Sequence, residues 1–286
     1  MRELVGLVFV LLAGLGFGFL GIFGRYAFQS GLTVGELLTF RFALATVILA
    51  LGLLIFKREH LKLPFKQKLV SAGLGVFGYA VFSTLYFKSI EGISVPLAAL
   101  LLFTFPIFVN LGAHFILKEK MSRSQLISLV IACTGLGILL WGPLVVNSPA
   151  AVAYALIAAT TYAVYVLVSG KLQQNVPPLS SSLYVMASSS IALFIFHQPD
   201  LGRIAELTQQ QILIIFGIAI FSTIAPLTLF LAGLQRLSSS KASIVVMIEP
   251  VVAAFAAYFL LGELLSGVQL IGAGLVLVAL GLNTKK

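Results

Sequence analysis

Apolar residues in this chain fall in long unbroken runs, and the polar positions gather in short clusters between them. A half-buried strand alternates apolar and polar side chains, so continuous runs of this length read as helices. The pattern predicts ten of them, over residues 4–24, 35–56, 67–89, 95–117, 123–142, 149–170, 180–197, 211–234, 241–261 and 266–284. About 20 residues rising 1.5 Å each cross a hydrocarbon core about 30 Å thick, so each run is a transmembrane helix in length. The first run carries Gly14, Gly16, Gly18, Gly21 and Gly24, exceeds the apolar region of a signal peptide, and precedes no small-x-small cleavage site; it is expected to be a membrane helix.

The polar punctuation repeats. Residues 85–140 laid on 229–284, a constant displacement of 144 positions, give 14 identities in 56, with Pro106 on Pro250, Glu119 on Glu263, Ser122 on Ser266 and Gln125 on Gln269. The chain therefore reads as two copies of one unit: helices one to five in residues 1–142, a linker at 143–148, and helices six to ten in 149–286. An odd number of crossings per copy makes the second copy enter the membrane from the opposite side. Both Ser-x-x-Gln segments have the form of capping boxes opening helices five and ten.

Composition fits lipid as the solvent: 60% of residues are hydrophobic, 9% are charged, and mean hydropathy is +1.11. The net charge of +9 is spread along the chain, which gives no nucleic-acid footprint. With the N-terminus inside, 14 of the 18 basic residues fall on the cytoplasmic side, including Lys285 and Lys286. Arg25, Lys88 and Arg203 fall outside, and Arg41 lies within a helix. This asymmetry predicts that both termini are cytoplasmic. Lys118, Lys120 and Arg123 correspond to Gly262, Leu264 and Gly267 in the second copy, while Gly92 and Leu97 correspond to Arg236 and Lys241. Positive charge changes sides between copies, as an inverted repeat requires, and inverted repeats build the two gates of alternating-access transporters.

Polar groups inside the apolar runs are the candidate site. Glu249 lies about 12 Å into helix nine and Arg41 about 9 Å into helix two. A carboxylate at that depth lines a wet cavity and takes part in transport, or stays neutral and bonds to backbone freed by a proline kink. The arginine snorkels outward, forms a structural ion pair, or binds an anionic substrate group. Tyr79, Ser83 and Tyr86 share a face of helix three, and Tyr154, Thr161 and Tyr165 a face of helix six; such stripes suit a cavity wall or interhelical hydrogen bonding. Pro106, Pro226 and Pro250 interrupt their helices and are expected to face the protein interior. Cys133 is the only cysteine, so no intrachain disulfide forms. His60, His114 and His197 make no metal cluster, and there is no phosphate-binding loop, cofactor motif or catalytic grouping.

Each copy has a Pro-containing helix followed by Glu-(Lys/Leu)-(Met/Leu)-Ser-x-x-Gln-x-x-(Ser/Gly), and the second copy has Glu249-Pro250-Val251-Val252 and Leu260-Leu261-Gly262-Glu263. With Arg41 in Phe40-Arg41-Phe42, these segments resemble the EamA family of the drug/metabolite transporter superfamily. The resemblance covers essentially the whole chain and implies a ten-helix, all-α membrane fold of two inverted repeats. It also implies export of amino acids, metabolites or drugs, in a family that includes importers. The first copy departs from the pattern with Phe105 where the second has Glu249. The expected function is a cytoplasmic-membrane secondary transporter, working as monomer or homodimer, that moves an amino acid or related metabolite, most simply outward. A passive facilitator, an importer and, more remotely, an intramembrane enzyme are the other readings.

Overall fold

The computed structural model describes residues 1–142 and 145–284. Pro143 and Leu144 of the expected linker, and Lys285 and Lys286 of the cytoplasmic charge count, lie outside the described residues. The chain is helical, and eight helices are long and apolar enough to cross a membrane. These are α1 (Arg2–Gln29), α2 (Val34–Phe56), α3 (Phe65–Ile90), α4 (Val95–Phe115), α6 (Pro149–Leu172), α7 (Pro178–His197), α8 (Gln209–Leu234) and α9 (Ser239–Leu261). Two shorter apolar helices, α5 (Arg123–Leu139) and α10 (Gly267–Thr284), occupy the fifth and tenth predicted positions. Helix α1 runs further at both ends than its apolar core suggested, and α5 stops at Leu139, short of the predicted residue 142, where the chain turns into the linker.

Local chemistry sets the helix ends. The side-chain oxygens of Thr33, Ser122, Thr208 and Ser266 each accept from the backbone N–H three residues on, and each cap's own backbone N–H donates to the side-chain oxygen of Glu36, Gln125, Gln211 or Gln269. Pro149 and Pro178 open α6 and α7, where a missing N–H costs nothing. Gly262, at φ +70°, ends α9 in the left-handed conformation that an L side chain resists.

The register of the repeat extends through most of the bundle. Val34 and Pro178, Phe65 and Gln209, Val95 and Ser239, and Arg123 and Gly267 begin corresponding helices, each pair displaced by 144 positions. Packing follows the same internal symmetry: α2 lies on α7 and α5 on α10, while the α1–α8 pair is matched by α6–α3 and α1–α9 by α6–α4. Helices α5 and α10 meet backbone to backbone, and a Cβ on Gly272 would stand 2.4 Å from the backbone N of Leu139. Arg2 bonds to the Gln235 carbonyl at 3.0 Å and Asn283 to the Lys241 carbonyl at 3.1 Å, so both ends of the described chain sit at one end of the bundle.

Four helices leave α geometry at paired positions. Helix α3 is π-helical over Leu74–Ala80 and α8 over Ile220–Ile224. Pro226 lacks the N–H that the Ser222 carbonyl needs, so the wider turn lies just before it. In α3, which has Phe82 at the equivalent place, the Ser83 hydroxyl donates instead to the carbonyls of Tyr79 at 2.7 Å and Ala80 at 3.2 Å. Helix α4 breaks at Phe103–Thr104 before Pro106, with the Thr104 hydroxyl donating to the Leu101 carbonyl. Helix α9 tightens to a 3₁₀ turn at Val246–Ile248 before Pro250.

Candidate functional site

The interruptions in α3, α4 and α9 surround a belt of aromatic rings. Tyr79 on α3 touches Phe42 on α2, Phe82, and Tyr165 on α6, with centroid separations of 5.3, 5.0 and 5.5 Å. Tyr162 joins the belt from α6, at 4.8 Å from Phe82, 4.6 Å from Phe105 on α4, and 5.9 Å from Tyr165 with the two rings near parallel. Edge-to-face contacts dominate, as ring quadrupoles favour.

Two ionisable side chains, Arg41 and Glu249, lie near this belt. Arg41 is 3% exposed, and its guanidinium carbon lies 4.7 Å from the centroid of the Phe42 ring. Its Nε is buried without a hydrogen-bond acceptor, and no carboxylate pairs with it among the described residues. Glu249 begins the second half of α9, within electrostatic range of the Tyr79, Tyr86 and Tyr162 phenols. No ion pair neutralises it among the described residues, and its side chain keeps partial exposure although protein encloses it. The cation and the acid thus stand in one region without pairing to each other, with Tyr79 in the electrostatic range of both. An unpaired buried guanidinium is costly, and a ligand bearing a negative charge relieves that cost.

Helix α1 fixes the acid's position. A Cβ added to Gly18 would stand 2.9 Å from the Glu249 carbonyl oxygen and 2.7 Å from Val252, and one on Gly14 would stand 2.3 Å from Ile248. The Gly14-x-x-x-Gly18 spacing therefore marks the face on which α9 rests.

The two predicted stripes have different fates. Tyr79 and Ser83 are buried and Tyr86 half-buried, its ring 5.7 Å from that of Phe87. The Ser83 proton is committed to helix backbone. On α6, Tyr165 is 1% exposed, whereas Tyr154 is 36% exposed with the Lys88 ammonium 6.0 Å from its ring centroid. Thr161 donates to the Ile157 carbonyl at 2.7 Å and borders a shallow outer groove of about 350 Å³ with Leu156, Ile157, Thr160 and Val164. One face of α6 is thus covered along only part of its length, and neither Tyr154 nor Thr161 takes part in the ring contacts of the belt among the described residues. Residues that periodicity did not single out, Phe82, Phe105 and Tyr162, complete the belt. The signal in sequence was an aromatic pair three residues apart, Tyr79–Phe82 on α3 and Tyr162–Tyr165 on α6, and the π turn in α3 takes the first pair out of simple helical phase with the rest of its helix. Pro106 and Pro250 are buried and Pro226 lies at the α1 interface, against Gly16. The described residues contain no group of His, Cys, Asp and Glu able to hold a metal.

Comparison with known proteins bears on the family and the fold. The model of the EamA-like transporter family matches twice, at residues 4–141 and 149–284. The "Uncharacterized transporter YcbK" of Bacillus subtilis is 27% identical over 280 residues, covering 94% of this chain and 89% of the relative. An "Uncharacterized transporter" of Archaeoglobus fulgidus is 26% identical over 276 residues, covering 95% of each chain. A solved crystal structure with 17% identity superposes at a TM-score of 0.80 over 99% of this chain and 96% of its own, which shows a shared fold. Two family matches that together span nearly the full length, on a bundle of apolar helices with the same two-copy organisation, make this chain a multi-pass membrane transporter belonging to the EamA-like transporter family.

Proposed function

We propose that the protein is a secondary transporter carrying a small zwitterionic metabolite, an amino acid or close relative, outward across the cytoplasmic membrane by alternating access. The observation that carries this reading is that Arg41 and Glu249 lie near one aromatic belt, with Tyr79 in the electrostatic range of both, and that neither forms an ion pair among the described residues. A substrate carboxylate accepts from Arg41, its ammonium group meets Glu249, and its side chain lies against Tyr79, Tyr165 and Tyr86. Ser83 supports the Tyr79 turn from within α3. Tyr154 and Thr161 belong to this proposal as an approach along α6.

The topology proposed with it has ten crossings, α5 and α10 included, and cytoplasmic termini. Helical interruptions at Pro106, Pro226 and Pro250 give each repeat places to bend without exposing unpaired carbonyls to lipid. In proteoliposomes of purified protein, a mixture of labelled L-amino acids should be taken up saturably, unchanged in chemistry, and in exchange for unlabelled substrate on the opposite side. Non-saturating flux without exchange supports the passive facilitator instead, and chemical conversion of the solute supports an enzyme. Absence of amino-acid flux and of amino-acid stabilisation in a ligand screen removes the zwitterion assignment.

A further inference from the structure

The two ends of the bundle are held differently, although the repeat makes them equivalent. At the end that carries the termini, α8 is tied to α6. The Gln235 side chain donates to the carbonyls of Gln173 at 2.8 Å and Val176 at 2.6 Å, and Gln174 donates to the Leu234 carbonyl at 3.1 Å. Gln173 reaches Ser71 on α3 at 2.9 Å. The second half of α4 packs there on the first half of α9, with Asn110 facing Ser243 at 3.5 Å.

The displacement of 144 positions assigns each of these groups a counterpart at the opposite end: Gln29 for Gln173, Glu91 for Gln235, Ala254 for Asn110 and Ala99 for Ser243. Gln29 and Glu91 are exposed, and neither side chain is bonded among the described residues. The first half of α4 and the second half of α9 do not pack to the extent of their counterparts. Yet α1 and α3 already approach each other at this end through the Phe28–Phe87 ring contact at 6.2 Å. Gln29 adjoins the first ring, and Glu91 lies one helical turn beyond the second.

We propose that Gln29 and Glu91 form the reciprocal latch, closed when the terminus-bearing end opens. In that state the Gln29 amide donates to the Glu91 carboxylate. Ala99 and Ala254, both small, let α4 and α9 meet. The two latches differ in chemistry: one bonds an amide to backbone carbonyls, the other an amide to a carboxylate, the stronger charge-assisted kind. The inference rests on the alternating-access reading above and adds the contact made by the state not seen here.

The test uses purified full-length protein in a Cys133→Ser background carrying Gln29→Cys and Glu91→Cys. Both positions are exposed, so the replacements spare the core. Mild oxidation should form the disulfide, stop flux of the labelled amino-acid mixture, and restore flux on reduction. Amide hydrogen exchange over residues 173–176 and 235–238 should rise about tenfold in the oxidised protein as that end opens. The companion pair Gln173→Cys with Gln235→Cys should also block flux but leave exchange there low. A Gln29/Glu91 pair that does not cross-link, or cross-links without raising exchange at the opposite end, overturns the latch. The exchange readout needs no substrate, so it stands if amino-acid flux is absent, an outcome that counts against the proposed function alone.

Discussion

Arg41 concentrates the electrostatic argument in one side chain. A guanidinium presents a planar fork to a carboxylate, whereas lysine offers a point charge, so Arg41→Lys should weaken substrate affinity about tenfold or more while leaving folding intact. Competition binding on the purified variant checks this, and unchanged affinity in Arg41→Ala would reduce the residue to a structural one. Glu249→Gln keeps the shape of the side chain and removes its exchangeable charge. The variant should still bind substrate but lose any acceleration of flux by an imposed pH gradient, measured in liposomes against wild type. A third residue acts through stability. Burial holds the Glu119 carboxyl above the usual carboxylate range, and its Oε2 has no hydrogen-bond partner. A folded acid with a raised pKa binds its proton more tightly than the unfolded chain does, so stability declines as pH rises from the ordinary Glu value through the raised one. Glu119→Gln should therefore melt at a higher temperature than wild type at neutral pH, and the gap should close in acid. A gap independent of pH argues that packing, not ionisation, is responsible.

At the scale of helices, close contact and interruption matter more than propensity. Helices α5 and α10 approach so closely that Gly272→Leu must push α10 off the Leu139 backbone, with an expected loss of about 1–3 kcal/mol. Thermal unfolding in detergent measures it. A Gly274→Leu control faces open space and should cost little. The capping boxes at Ser122 and Ser266 were legible in sequence because their partners are three residues apart and need no tertiary context. The proline breaks were legible for the same reason. The π turn of α3 was not, because no proline marks it; it depends on how Ser83 and the α6 and α7 neighbours receive the backbone. Nor could periodicity tell which part of the Tyr154–Thr161–Tyr165 face is covered, since coverage belongs to the helices packed against α6.

For the molecule as a whole, the proposed topology predicts which loops face outward. Single cysteines at Ser30, Asn147 or Glu206 in a Cys133→Ser background should react with an impermeant thiol reagent on intact cells, and one at Gln174 should not; labelling at Gln174 in sealed cells contradicts cytoplasmic termini. By itself the sequence determined the solvent, the helical class, the two-copy register and the identity of the family. Those follow from continuous apolar runs, from identities at a fixed displacement, and from local capping and proline chemistry, all of which are written along the chain. Only the tertiary structure decided that Phe82, Phe105 and Tyr162 join Tyr79 in one belt, that Arg41 and Glu249 lie there with no ion pair among the described residues, and that the Gln235–Gln173 bond at one end has no counterpart between Glu91 and Gln29 among them. Contacts between distant segments depend on how the helices share one interior, and an internal symmetry in sequence does not say at which end a given pair of side chains meets.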